Sequence, residues 1–417
     1  MSTVPMSLPD SYDAGATFRT ALARRVLKSV VRRVPVDVRL QDGSLVRRVQ
    51  AEENRPVLQL VRPEALYRRI AAHPKIGIGE GYMAGDWKAG EGTDLAAVLL
   101  PFAERMTTAV PPVLQKLRRV VDRPIPAEER NSVQGSQRNI EAHYDLSNDL
   151  FAAFLDETMS YSSALFDESL PFAEQDLEQA QLRKVRAVLD LAGVRAGSRV
   201  LEIGTGWGTL AIEAAKRGAS VTTITLSTEQ AELAARRAEV AGVADRVEIR
   251  LQDYRDVTGT FDAVVSVEMI EAVGEEYWPT YFSAIDRVLA PGGAVAIQAI
   301  VMSHDRYLAT RRSYGWIQKH IFPGGLLPSL RAVDAAVADT SLRVDHVQAF
   351  GTHYAETLRR WRRTFLQSWA EVRELGFDET FRRKWEFYLA YCEAGFQSGY
   401  LDVVQLRLVR PTGRLGR

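Results

Sequence analysis

The sequence predicts an α/β protein: a doubly wound, Rossmann-like sheet over residues 139–417, preceded by a smaller mixed α/β domain at 1–120. Three observations predict it. Beyond residue 139, strand-like and helix-like segments alternate at short spacing, the pattern of repeated βαβ units. One of those strands, RVLEI, runs into a glycine-rich turn, GTGWG, that opens a helix. The stretch VVDRPIPAEERNSVQGSQRN is polar, contains Pro124 and Pro126, and has no sustained hydrophobic period, which marks a linker at 121–138. A chain of 417 residues is also longer than one ordinary core supports.

In the first domain, VDVRLQDGSLVRRVQ (36–50) alternates apolar and polar residues around Asp42-Gly43 and predicts a hairpin. PVLQLV (56–61) predicts a strand, and PEALYRRIAAH a short helix with Pro63 in its first turn. IGIGEGYMAGDW (76–87) is rich in glycine and predicts a turn-like segment. In the second domain, LEQAQLRKVRAVLDLAG predicts an amphipathic helix ending at Gly193. RVLEIG, SVTTITL, RVEIRLQD, FDAVVSVE and AVAIQAI predict strands. GTLAIEAAKRG, STEQAELAARRAEVAG and YFSAIDRVLAPGG predict the helices between them, the last closing in a turn. In such sheets the ligand sits at the carboxyl ends of the strands.

The 53 basic and 53 acidic residues cancel, so net charge offers no reason to expect nucleic acid. Cys392 is the only cysteine, which excludes an intrachain disulfide and a cysteine zinc site and fits a reducing cytoplasm. The six histidines show no metal-ligand spacing, so no metal is expected. No apolar run approaches the roughly 20 residues of a spanning helix, and MSTVPMSLPDSYD lacks a signal-peptide core. Any membrane contact is expected to be peripheral.

The glycine turn, Glu202 to Gly208, lets a ligand approach backbone at a helix N-terminus. Three features favour S-adenosylmethionine over a dinucleotide. Thr209 stands where G-x-G-x-x-G wants Gly or Ala. The second strand, VTTITLS, lacks the terminal acid that would hold an NAD ribose. The third ends in Gln252-Asp253-Tyr254, where an acid or amide can accept from an adenine amino group and an aromatic can stack on the ring. The implied fold is that of a class I S-adenosylmethionine methyltransferase.

HYDLSNDLFAAFLDETMSYSSALF (143–166), LEIGTGWG, TLSTEQ, VEMIEAVG, WIQKHIFPGGLLPSL, HYAETLRRWRRTF and YLAYCEAGFQSGYLDVVQ together resemble the cyclopropane-fatty-acyl-phospholipid synthases over nearly all of 138–406. VAIQAI, SNDLFAAFLDET and WIQKHIFPGGLLPS resemble the branch linked to 10-methylene fatty acids, the precursors of tuberculostearic acid. The resemblance implies methyl transfer from S-adenosylmethionine to the cis double bond of an oleoyl phospholipid, through a carbocation. A 1,2-hydride shift before proton loss gives a 10-methylene product; direct ring closure gives cyclopropane. The other readings are an enzyme acting on small molecules or carrier-bound acyl chains, and a non-catalytic lipid-binding protein that kept the fold.

Residue by residue, the resemblance places Tyr161 and Ser162 at the methionine part of the cofactor and Gly204 and Gly206 beneath it, in the turn that Glu202 begins. It places Thr225, Leu226 and Gln230 on the ribose and adenine side, with Asp253 and Tyr254 at the adenine edge. It implies a bicarbonate as bound base, near Glu271, Tyr354 and the backbone of Ile300. Two positions depart from the family: Ser163 replaces a cysteine and Gln298 a histidine, though both can donate hydrogen bonds to an anion. His143 opens the HYDLSND motif and is expected either to line the site or to make a structural hydrogen bond.

FRTALARRVLKSVVRRV (18–34) carries Phe18, Leu22, Val26, Val30 and Val31 at helical spacing among six basic residues and no acid. Taken alone it reads as a solvated helix packed on the first domain; with a phospholipid substrate it reads as a membrane-surface helix at the inner face of the membrane. RRWRR (359–363) is a second basic cluster, for lipid phosphates or for solvent. Cys392 reads as a buried structural thiol. A separate flavin or NADPH reductase is implied for a saturated branch, and a homodimer is a family expectation.

Overall fold

The computed structural model describes residues 17–47, 55–105 and 147–411. The linker expected at 121–138 and His143 lie outside the described residues. The chain groups into two compact units. One is Met1–Pro124 with Arg312–Ile321 and Leu358–Tyr400; the other is Ile125–Arg311 with Phe322–Thr357 and Leu401–Arg417. Two segments from late in the sequence therefore belong to the first unit. Among the described residues, no helix is long and apolar enough to cross a membrane.

The first unit holds a four-stranded sheet in the order β2-β1-β3-β4: β1 (Asp37–Leu40), β2 (Leu45–Arg47), β3 (Val57–Leu60) and β4 (Trp87–Ala89). The hairpin forms at Asp42-Gly43, where Gly43 has φ 81° and the Ser44 N–H donates to Asp42 Oδ1 at 2.8 Å. The glycine-rich stretch 76–87 is not a turn: Gly77–Ala84 is helical. Its glycines serve close packing. A Cβ on Gly77 would lie 2.4 Å from the backbone of Arg69, and one on Gly79 2.5 Å from the Trp316 ring. Helix Glu379–Gln397 packs on this helix and on Leu95–Glu104. Arg362 of the RRWRR cluster is neither solvated nor presented to phosphates. It is buried, with Asp94 at 2.8 Å and Glu393 at 2.9 Å.

The second unit is built on a seven-stranded sheet ordered β10-β11-β9-β8-β5-β6-β7. Its strands are β5 (Arg199–Ile203), β6 (Ser220–Thr225), β7 (Val247–Leu251), β8 (Phe261–Val267), β9 (Leu289–Met302), β10 (Arg343–Ala349) and β11 (Leu401–Val409). β11 runs antiparallel to β9 and β10; the pairs from β9 through β7 are parallel. Successive residues alternate between two cores, Leu201 and Val264 on one face and Val200 and Val265 on the other. Both faces are thus covered, as apolar parallel strands require. The expected turn at APGG lies inside β9: Phe261 pairs with Leu289 and Ala263 with Ala294, so the extra residues form a register shift. Strand order reverses at β5, which brings the carboxyl ends of β6, β5 and β8 side by side.

Candidate active site

β5 ends at Ile203, and Gly204 turns the chain at φ 96°. The amides of Gly204 and Thr205 both donate to the Ile224 carbonyl of β6, at 3.0 and 3.1 Å, which pins the turn to its neighbour. Gly206 follows at φ 51°, and a Cβ there would meet nothing within 4 Å. The turn therefore faces open space at the start of helix Thr209–Lys216.

That space is a cavity inside the second unit. Tyr161, Ser162, Glu202, Gly204 and Gly206 line it, as do Thr225, Leu226, Gln230, Asp253 and Tyr254. All ten residues expected around the cofactor are brought together. Tyr161 also packs against Phe151 at 5.1 Å, so it serves the aromatic core as well as the cavity wall. The Thr225 hydroxyl donates to Gln230 Oε1 at 2.9 Å. Asp253 Oδ1 accepts from the Arg255 N–H and Nε, at 2.9 and 2.8 Å. Burial pushes the Glu202 carboxyl up to about 8, with Thr223 Oγ1 donating to it at 2.6 Å. Burial pushes Lys184, on helix Leu177–Leu191, down to about 8; its Nζ donates to Ser162 Oγ at 2.6 Å. Gln181, one turn earlier, donates to the Ser162 carbonyl at 2.9 Å and fixes the Tyr161–Ser163 segment.

Behind this wall lies a second cluster, centred on a residue that sequence reasoning missed. Glu268 directly follows β8 and lines the cavity. Its carboxylate accepts three hydrogen bonds. The Ser163 N–H and Gln298 Nε2 reach Oε1 at 2.9 and 2.8 Å, and the Tyr354 hydroxyl reaches Oε2 at 2.7 Å. Three donors favour the ionised form. Burial acts more strongly and holds the carboxyl above the usual glutamate range. The Gln298 amide is oriented by Gln405 of β11, whose Nε2 donates to Gln298 Oε1 at 3.1 Å.

The structure separates the expected base constellation. Ser163 contributes its backbone amide, because its hydroxyl donates to the Ala164 carbonyl at 3.0 Å. Tyr354 meets Glu268 rather than Glu271. Glu271 Oε1 instead accepts the Ile300 N–H, and its Oε2 is buried without a partner. Burial, then repulsion by Glu268, pushes Glu271 up to about 8. The legible signal for Glu268 was two glutamates three residues apart just after an apolar strand, at the carboxyl edge where such sheets bind ligands. Cys392 is half-buried, and burial pushes its thiol up to about 12, too high for a nucleophile at neutral pH.

The family model described as mycolic acid cyclopropane synthetase matches residues 131–406. The chain is 51% identical over 399 residues to the tuberculostearic acid methyltransferase UfaA1 of Mycobacterium tuberculosis, covering 95% of this chain and 92% of that protein. It is 31% identical over 350 residues to the cyclopropane-fatty-acyl-phospholipid synthase of Escherichia coli K12, covering 83% and 86%. Among solved structures it is similar to the cyclopropane synthase MmaA2 from Mycobacterium tuberculosis, with TM-score 0.60 and 28% identity over 65% of this chain and 97% of that one. It matches the mycolic acid cyclopropane synthase CmaA1 complexed with SAH and CTAB equally well, with TM-score 0.60 and 29% identity over the same shares. With the strand order, the glycine turn and the family match agreeing, the chain belongs to the mycolic acid cyclopropane synthetase family of methyltransferases.

Proposed function

We propose that this chain methylates the cis double bond of an oleoyl phospholipid and releases a 10-methylene acyl chain. One observation carries the reading: a single cavity is lined both by the glycine turn and by the hydrogen-bonded carboxylate of Glu268. The cavity residues fit S-adenosylmethionine, because open space over Gly206 admits the ligand while Gln230 and Asp253 supply polar contacts. Bound there, S-adenosylmethionine supplies an electrophilic methyl group. The chain's own task is to hold the alkene in line, exclude water from the cation that follows, and accept one proton. The resemblance to cyclopropane synthases implies bicarbonate as that acceptor.

The likeness to a tuberculostearic acid methyltransferase supports the methylene branch. Saturating the methylene to a 10-methyl group takes two electrons that methyl transfer does not supply, so a separate flavin or NADPH reductase completes the sequence. The enzyme meets its substrate from the membrane surface. Phe18 and Leu22 of helix Thr17–Val31 stay exposed beside Arg19 and Arg25, while Val31 is buried. The resemblance to the cyclopropane synthases implies a homodimer, acting at the inner face of the membrane.

The test is to incubate the purified protein with labelled S-adenosylmethionine and oleoyl phospholipid vesicles, then analyse the hydrolysed fatty acids by mass spectrometry and NMR. Vinylic methylene protons are expected. Cyclopropane protons would move the assignment to ring formation, and unlabelled lipid would remove the acyl substrate.

A further inference from the structure

We propose that the carboxylate of Glu268 is the proton acceptor of this reaction, built into the chain in place of a dissociable bicarbonate. The proposal rests on the acyl-methylation reading above. The groups expected to hold a free anion are already committed. The amide at Ser163, the Gln298 amide and the Tyr354 hydroxyl all donate to Glu268, within 2.7–2.9 Å. An added bicarbonate would have to displace a tethered carboxylate from its own donors and then lie against its charge.

The backbone supports the same conclusion. Glu268 has φ 53°, a left-handed conformation that glycine takes without strain and a glutamate does not. The Glu268 N–H donates to the Gln298 carbonyl of β9 at 2.8 Å, which holds the strained residue against the strand that presents its donor. Of the two glutamates at this strand end, Glu268 lines the cavity and Glu271 does not. Burial raises the basicity of Glu268, as a proton acceptor needs.

The step balances without an oxidant or reductant. After methyl addition, a 1,2-hydride shift leaves the cation on the methyl-bearing carbon. A C–H bond of that methyl breaks, its electron pair becomes the second bond of the exocyclic C=CH2, and the proton passes to a carboxylate oxygen of Glu268. The proton then returns to solvent.

The test compares the full chain and two variants on oleoyl phosphatidylglycerol vesicles, in buffer purged of carbon dioxide and in the same buffer with millimolar bicarbonate. Wild type is expected to turn over equally fast in both, and to show no bound [13C]bicarbonate by 13C NMR. Glu268→Gln should lose product by about 10²- to 10⁴-fold, the usual worth of a general base, while still binding S-adenosylmethionine by calorimetry. Glu268→Gly opens the donor set, and should both bind [13C]bicarbonate and regain product when it is added. A wild type that stalls without bicarbonate or binds it would overturn the proposal, as would Glu268→Gln working at the wild-type rate. Should either variant fail to fold, the wild-type arms still decide. Methylated lipid absent under every condition would sink the acyl-methylation reading instead, and bicarbonate binding to wild type would still judge Glu268.

Discussion

The Tyr354 hydroxyl donates to Glu268 Oε2 at 2.7 Å, joining helix Gly351–Gln367 to the residue that directly follows the central strand β8. Tyr354→Phe removes one of three donors to a buried carboxylate. A hydrogen bond to a charged group contributes about 1.5–3 kcal/mol, so turnover should fall by about 10- to 100-fold. Binding of S-adenosylmethionine by calorimetry should be unchanged. With one donor gone, Glu268 holds its proton to higher pH, so the acid limb of the rate profile should move upward. A limb that stays put would mean that Tyr354 does not act through Glu268.

Ser163 presents its amide to Glu268 and turns its hydroxyl to the Ala164 carbonyl. Ser163→Ala leaves that amide in place and should keep much of the activity, within about fivefold, since a lost neutral hydrogen bond contributes about 1 kcal/mol or less here. A hundredfold loss in the vesicle assay would show the hydroxyl at work in the chemistry.

Burial pushes Glu271 up to about 8 from an ordinary 4.5. The folded protein therefore holds a proton that the unfolded chain has already released between those values. That contribution to stability is full below the unfolded value and is lost as pH rises toward 8. Glu271→Gln is neutral at every pH, so its melting temperature should fall less than that of wild type between pH 6 and 8.5. Parallel curves by calorimetry would show that Glu271 is ionised in the folded state.

Arg362 forms a buried ion pair with Glu393 in the first unit and also reaches the half-exposed Asp94. Arg362→Ala leaves the buried Glu393 carboxylate without its cation and should cost about 3–5 kcal/mol in denaturant unfolding. Vesicle binding by the folded fraction should not change. Reduced binding at full folding would restore a role for this arginine at lipid phosphates.

Helix Thr17–Val31 carries Arg25 and Lys28 on exposed positions beside Leu22, whereas Arg24 lies 3.8 Å from Glu64. Reversing charge at Arg25 and Lys28 should weaken co-sedimentation with anionic vesicles. At about 1 kcal/mol per basic residue near such a surface, the affinity should drop by well over tenfold, more at low salt than at high. Unchanged sedimentation would remove the helix from the membrane.

The doubly wound fold and the cofactor cavity were legible in the chain's own residue pattern. Both depend on local patterns: alternating apolar strands, short helices between them, and a glycine turn whose backbone demands are readable one residue at a time. Thr225, Gln230, Asp253 and Tyr254 stood out because each closes a strand or opens the helix or turn after it, and strand ends converge in this topology. The helix at Gly77–Ala84 was not legible, because its glycines answer to Arg69 and Trp316, partners far along the chain or across a turn. The identity of the buried base was not legible either. Glu268 and Glu271 are three residues apart in one motif, and periodicity cannot say which carboxylate meets Ser163, Gln298 and Tyr354. That choice is made in the folded chain, where a φ of 53° sets Glu268 among donors 105, 30 and 86 residues away.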